Sequence, residues 1–311
     1  MSTSSALIAT IAGLAALAAG AELLVRGGGT LARRLGVSPL VVGLTVVAFG
    51  TSAPELVVSV RASWDGLGAI AIGNVVGSNI DNLGLSLGLA GLLKPLAVHA
   101  RVIRFEIPLV IAVSAIGGLA CLGGSVSRIE GGLLLAGLAI WLVWTVRAAR
   151  REGRAPEASD APLEGSWTGD FVRMLAGLTL LAGGAEALVR GATAIARSAQ
   201  LSDAVIGLTL VAVGTSLPEL ATTIAAARRG ESDLAIGNVV GSNLFNVLGI
   251  LGGAALVRPL SPAGISVVDL GVMTLAAVAL LPLAASGKRL SRTESAMLLV
   301  GYAAYAVSYT H

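Results

Sequence analysis

Gly43-Leu-Thr-Val-Val-Ala-Phe-Gly-Thr-Ser-Ala-Pro-Glu55 is written a second time as Gly207-Leu-Thr-Leu-Val-Ala-Val-Gly-Thr-Ser-Leu-Pro-Glu219. Each copy is followed by a second block, Gly73-Asn-Val-Val-Gly-Ser-Asn-Ile-Asp-Asn82 and Gly237-Asn-Val-Val-Gly-Ser-Asn-Leu-Phe-Asn246. The offset is 164 residues in both blocks (219 − 55 and 246 − 82). Each copy sets a glutamate beside a proline and hydroxyls inside an apolar run. A charge there is costly, roughly 2.5–3.5 kcal/mol at a helix centre on insertion scales. A chain that bears that cost twice is expected to use it, with Glu55 and Glu219 facing each other and holding a cation.

Composition sets the solvent. Of 311 residues, 55% are hydrophobic and only 13% charged, and the mean hydropathy is +0.87. A soluble domain carries nearer a quarter charged residues. The apolar runs are long and continuous rather than alternating, so an all-α polytopic membrane protein is expected, not a β-barrel. The 41 glycines suit close helix packing and broken helices. Net charge is only +3, with the basic residues in loops, so nucleic acid is not an expected partner. Cys121 is alone in an apolar run and reads as a small buried hydrophobe. His99 and His311 are too few and too far apart for a histidine metal site, and His99 reads as an exposed loop residue. The first 25 residues imitate a secretory leader, but no positive charge precedes the apolar run. Moreover Gly20-Ala-Glu-Leu-Leu-Val-Arg-Gly27 recurs as Gly184-Ala-Glu-Ala-Leu-Val-Arg-Gly191, which marks a structural helix. Gly27-Gly28-Gly29 is no phosphate loop, since no GxxxxGK[ST] follows.

Ten spans are expected, near 5–25, 37–63, 67–93, 105–124, 129–147, 171–190, 201–227, 233–257, 265–286 and 293–310. They divide into a first transmembrane repeat (1–147), a polar cytoplasmic linker (148–170) and a second repeat (171–311). The sequence repeat holds without a gap from Gly20–Leu96 against Gly184–Leu260; beyond it only span count and spacing are shared. Five spans per half is an odd number, so the second half enters from the opposite side: two inverted five-helix repeats, as in many secondary transporters. Sixteen Lys and Arg fall on the face that receives the loops after odd-numbered spans and five on the other. The positive-inside rule then puts both termini outside a cell (inner or plasma) membrane.

The motif suits hard cations. Pro54 donates no backbone bond and breaks the helix, freeing carbonyls near Gly50 and Thr51. Such backbone is tolerated only against protein or a wet cavity. Thr51 and Glu55 share a face, Ser52 adds a hydroxyl, and Thr215, Ser216 and Glu219 repeat the set. Carboxylate, hydroxyl and carbonyl oxygens suit Na⁺ or Ca²⁺. Asn74, Ser78 and Asn82 form one polar stripe at i, i+4, i+8, and Asn238, Ser242 and Asn246 repeat it. Gly73, Gly77, Gly237 and Gly241 keep a GxxxG spacing for close approach. Two glutamates close together in low dielectric repel; one divalent cation neutralises both, and several monovalent ions or protons do the same. A site that takes either load and does not cross empty is an antiporter.

Blander readings stand beside these. The glutamates read otherwise as buried structural carboxylates, the asparagines as interhelical glue, Asn79 and Asn243 above all. Glu22 and Glu186, each followed by Arg, read as interfacial ion pairs. Asp81, matched by Phe245 in the second half, faces either the pocket edge or a neighbouring helix. Against an intramembrane enzyme, the motifs hold no His, no metal-ligand spacing and no nucleophile with a base. A channel is disfavoured by the inverted halves.

The paired blocks GxTxxAxGTSxPE and GNVVGSNxxN resemble those of the cation/calcium exchanger superfamily, its short prokaryotic sodium/calcium exchangers in particular. The resemblance implies a ten-helix antiporter that uses no cofactor, carries Ca²⁺ and Na⁺ by alternating access, and works as a monomer. It makes Glu55 and Glu219 calcium ligands. Around the sodium sites it sets Thr51, Ser52, Ser78, Thr215, Ser216 and Ser242, with Asn82 and Asn246 at the remaining corners. It makes the first and sixth spans the sliding gate helices. One departure stands out: exchangers of this type often carry Asp at one of those two corners, and here both are Asn. Ca²⁺/H⁺ exchange through the same pair is the alternative.

Overall fold

A computed structural model describes residues 3–152, 166–198 and 214–308. Pro54 and Pro218 set the local architecture. Helix α2 (Pro39–Thr51) meets α3 (Ala53–Trp64) at a 47° bend. Ser52, at φ −84° and ψ 4°, is the joint, and Pro54 lies in the first turn of α3. There its missing N–H costs nothing, because first-turn donors have no intrahelical partner. Ser216, at φ −85° and ψ 2°, precedes a helix Leu217–Arg229 with Pro218 in the same place. The non-helical joint before the proline thus recurs in both copies.

The other elements follow in order. α1 (Thr3–Leu35) precedes the break. After it come α4 (68–93), α5 (Val102–Leu122), α6 (Arg128–Glu152) and α7 (Trp167–Ser198). Then come α8 (Leu217–Arg229), α9 (Ser232–Val257), α10 (Val267–Ala285) and α11 (Arg292–Ser308). Six of these are long and apolar enough to cross a membrane, seven with the bent α2–α3 pair counted as one. α9 is buried along nearly its whole length, whereas the others turn Ile8, Ile11, Leu133, Ile140, Phe171 and Leu275 outward. An apolar outer surface around a polar centre is what a bilayer solvent selects. Residues 201–213, which carry the start of the seventh expected span and Gly207 of the repeated motif, lie outside the described residues.

Two helix ends differ from expectation. The first span does not stop near residue 25; α1 continues through Arg26, Arg33 and Arg34. The sixth begins at Trp167 and runs to Ser198. Paired charges keep the polar ends helical: Arg26 bonds Glu22 at 2.7 Å, Arg190 bonds Glu186, and Arg34 bonds Asp170 of α7. Likewise α6 carries the start of the expected linker, Arg150 and Arg151, as helix. The polar stripes are also not plain α-helix. Wide π-turns begin at Asp81 (Asp81–Ser86) and at Phe245 (Phe245–Leu251), just where Asn82 and Asn246 sit.

Glycine brings backbones together at two seams. A methyl group on Gly20 of α1 would stand 2.8 Å from the Gly177 carbonyl oxygen of α7, and one on Gly184 2.8 Å from the Leu17 nitrogen. Across the second seam, a methyl on Gly241 of α9 would stand 2.4 Å from the Leu44 oxygen of α2. Correspondence between the halves also outlasts the sequence repeat. Leu96 pairs with Leu290 in a two-residue ladder, β1 (Leu96–Ala97) against β2 (Arg289–Leu290), and Leu260 pairs with Val126. Each residue of one pair lies 164 positions from its counterpart in the other (260 − 96 and 290 − 126). Ser127 and Glu130 cap α6 just as Ser291 and Glu294 cap α11, again at that offset. More than span count is therefore shared beyond Leu96.

Gly20→Val is expected to destabilise the chain by about 1–3 kcal/mol, the usual cost of overpacking. Gly29→Ala, where no atom lies within 4 Å, serves as the neutral control. Thermal melting in detergent separates the two, and equal melting points would contradict the α1–α7 seam.

Candidate functional site

The two breaks face each other. Ser52, at the joint between α2 and α3, donates from Oγ to Oε1 of Glu219 in the first turn of α8 at 2.7 Å. Thr51 Oγ1 donates to Oδ1 of Asn238 at 3.1 Å, and Thr215 Oγ1 to Oδ1 of Asn74 at 3.3 Å. Ser216 Oγ donates to Ser78 Oγ at 3.1 Å. All four bonds cross between the halves. The Thr–Asn pair is made twice, as the 164-residue repeat requires; the Ser–Glu bond is made in one direction only.

Ten of the twelve candidate side chains are buried: Thr51, Ser52, Glu55, Ser78, Asn82, Ser216, Glu219, Asn238, Ser242 and Asn246. Asn74 and Thr215 are half-buried. Unspent polar atoms gather here. Among the described residues, none donates a hydrogen bond to either carboxylate oxygen of Glu55 or to Oε2 of Glu219. Ser242 Oγ, both amide atoms of Asn82 and Oδ1 of Asn246 are also unpartnered. A buried polar atom left without a partner costs about 1–3 kcal/mol, and a charged one more. Such a concentration marks atoms reserved for something other than protein.

Other polar residues are spent. Asn246 donates to Asn79 Oδ1 at 3.2 Å, Asn79 donates to Met273 Sδ at 3.5 Å, and Asn243 to the Val239 carbonyl at 2.8 Å. Asp81 turns to a neighbouring helix, where Tyr302 of α11 is its hydrogen-bond partner. Glu22 binds Arg26 and also Arg229 of α8 at 2.6 Å. His99 is exposed and Cys121 buried. Glu106 of α5 is a third fully buried glutamate, not singled out from the sequence, and it is answered: Arg101 lies 3.4 Å from Oε1 and Trp141 Nε1 donates to Oε2 at 3.2 Å. The sequence reading also missed Ser59 and Thr223, which receive the amides of Asn74 and Asn238 at 2.9 and 3.1 Å. Both stand one turn after a glutamate, so the i+4 rule applied to Glu55 and Glu219 would have found them.

Comparison with known proteins shows the family. The sequence profile of the family described as "Sodium/calcium exchanger protein" matches residues 5–147 and again 170–310. The putative antiporter CaxA of Alkalimonas amylolytica is 41% identical, over 96% of this chain and 98% of its own. The sodium/calcium exchanger MaX1 of Methanosarcina acetivorans is 33% identical, over 95% of each chain. A solved structure of the sodium-calcium exchanger NCX_Mj superposes with a TM-score of 0.87 at 33% identity, covering 98% of this chain and 99% of that one.

Glu55 and Glu106 are expected to respond oppositely to neutralisation. Glu106→Gln breaks an answered buried charge and is expected to cost about 2–5 kcal/mol. Glu55→Gln removes an unanswered one and is expected to leave the melting point in chelator unchanged or raised. Equal losses at both positions would contradict the difference.

Proposed function

Since the chain belongs to the sodium/calcium exchanger protein family, a family of membrane transporters, we propose that it is a secondary antiporter exchanging Na⁺ for Ca²⁺ by alternating access. The observation that carries this is the pair Glu55 and Glu219, buried across two helix breaks with three of four carboxylate oxygens unpartnered. Oxygen donors of this kind suit hard cations. One Ca²⁺ neutralises both carboxylates, and a load of Na⁺ does so in turn. Thr51, Ser52, Thr215 and Ser216 stand at the breaks, where Pro54 and Pro218 withhold a backbone donor from the preceding turn. Ser78, Ser242, Asn82 and Asn246 supply the remaining oxygens.

The wider reading has ten spans in two inverted halves: the six apolar helices, the broken α2–α3 pair, and the shorter α4, α8 and α11. The recurrence of bonds and caps at an offset of 164 residues supports it. The relative MaX1, a sodium/calcium exchanger by name, supports the choice of ions. Sodium entering down its gradient drives calcium out across the cell membrane, through a monomer with both termini outside. A second reading, Ca²⁺/H⁺ exchange, is favoured by one observation: amides at Asn82 and Asn246 leave the pocket two carboxylates.

In reconstituted vesicles, a sodium jump is expected to drive uptake of radiolabelled calcium, and Glu55→Gln or Glu219→Gln to reduce it to the level of empty vesicles. Near-normal uptake by either variant would overturn the site. A pH jump that drives calcium as well as a sodium jump would replace sodium with protons.

A further inference from the structure

We infer that Asn74 and Asn238 are positioning residues: each ties the glutamate-bearing turn of its own half to the threonine at the break in the other half. Together they hold Glu55 and Glu219 in register before any cation arrives. The inference rests on the cation-site reading above, although the bonds themselves do not depend on the cargo.

Every strong contact of the two amides is accounted for. Asn74 Nδ2 donates to the Glu55 carbonyl at 3.2 Å and to Ser59 Oγ at 2.9 Å, while Oδ1 accepts from Thr215 at 3.3 Å. Asn238 Nδ2 donates to the Glu219 carbonyl at 3.3 Å and to Thr223 Oγ1 at 3.1 Å, while Oδ1 accepts from Thr51 at 3.1 Å. A backbone carbonyl only accepts, so the amide nitrogen must face it and the amide cannot be turned round. Both N–H groups of each asparagine are therefore spent on the first two turns of α3 or α8. Thr223 completes its side by donating to the Glu219 carbonyl at 2.7 Å.

The arrangement has a purpose that simple helix glue lacks. Two carboxylates facing each other in low dielectric push their helices apart. The clamps are neutral, so they resist that push without adding charge that would compete with the cation. A site held in its binding geometry avoids an ordering cost when the ion enters. Position 59/223 is Ser in one half and Thr in the other. Only the hydroxyl is common to them, which is what a clamp end requires.

Ser59 and Thr223 give the test, since each touches the clamp from the side away from the opposite half. Half-saturating Ca²⁺ and maximal rate are measured for sodium-driven uptake in vesicles of full-length protein. Ser59→Ala and Thr223→Val are expected to raise half-saturating Ca²⁺ by about three- to tenfold, the range for one neutral hydrogen bond, with the maximal rate kept. Ser59→Thr and Thr223→Ser are expected to match the parent. Ser59→Ala added to Asn74→Ala is expected to change nothing further. Unaltered half-saturation in Ser59→Ala and Thr223→Val, beside lost uptake in Asn74→Ala, would make Asn74 a direct ligand and overturn the inference; so would multiplying effects. Melting in chelator gives a second readout. Non-additive shifts for Asn74→Ala with Thr215→Val support the clamp, and additive ones overturn it. If the parent protein moves no calcium, the transport reading fails, and the melting cycle still decides the clamp.

Discussion

Repulsion between two buried carboxylates is the constraint on which the rest of this structure turns. Elsewhere the chain answers its buried acids. Glu106 has Arg101 and Trp141, Asp170 has Arg34 and Arg173, and Asp269 has Ser266 and Tyr305. Among the described residues, Glu55 and Glu219 have one serine bond between them and no ion pair. On the proposed reading, a pair left in that condition raises the free energy of the folded chain until a cation enters. The surrounding structure is best understood as what makes the condition tolerable.

Three features do so. The proline joints set the first turns of α3 and α8 against each other, so that Ser52 reaches Glu219. Glycine seams let α9 lie against the α2 backbone, with no room for a side chain at Gly241. Neutral hydrogen bonds, Thr51 to Asn238 and Thr215 to Asn74, then cross between halves without introducing countercharge. Any arginine placed there would satisfy the carboxylates permanently and remove the reason for a transported ion to bind.

Much of this was legible because its signals are local. Pro54 and Pro218, the repeated glutamates and the polar stripes state their chemistry within a few residues. The ion pairs of Glu22 and Glu186 follow from i, i+4 spacing alone. What escaped is tertiary or conformational. The reach of α1 to Leu35 depends in part on Arg34 finding Asp170 of α7. The π-turns at Asp81 and Phe245 leave no mark in composition. The cross-half pairs Leu96–Leu290 and Leu260–Val126 use backbone, so residue identity is free to drift. Ser127-x-x-Glu130 and Ser291-x-x-Glu294 were readable as matching caps, yet they lie beyond the point where the alignable repeat ends.

The central claim is that one cation sits between Glu55 and Glu219. Crystals grown with Sr²⁺ in place of Ca²⁺ test it through an anomalous-difference map. The account predicts one strong peak touching carboxylate oxygens of both residues, at about the 2.3–2.6 Å typical of such ligands or slightly beyond. A peak bound to only one of them, or lying outside the paired helix breaks, would contradict it.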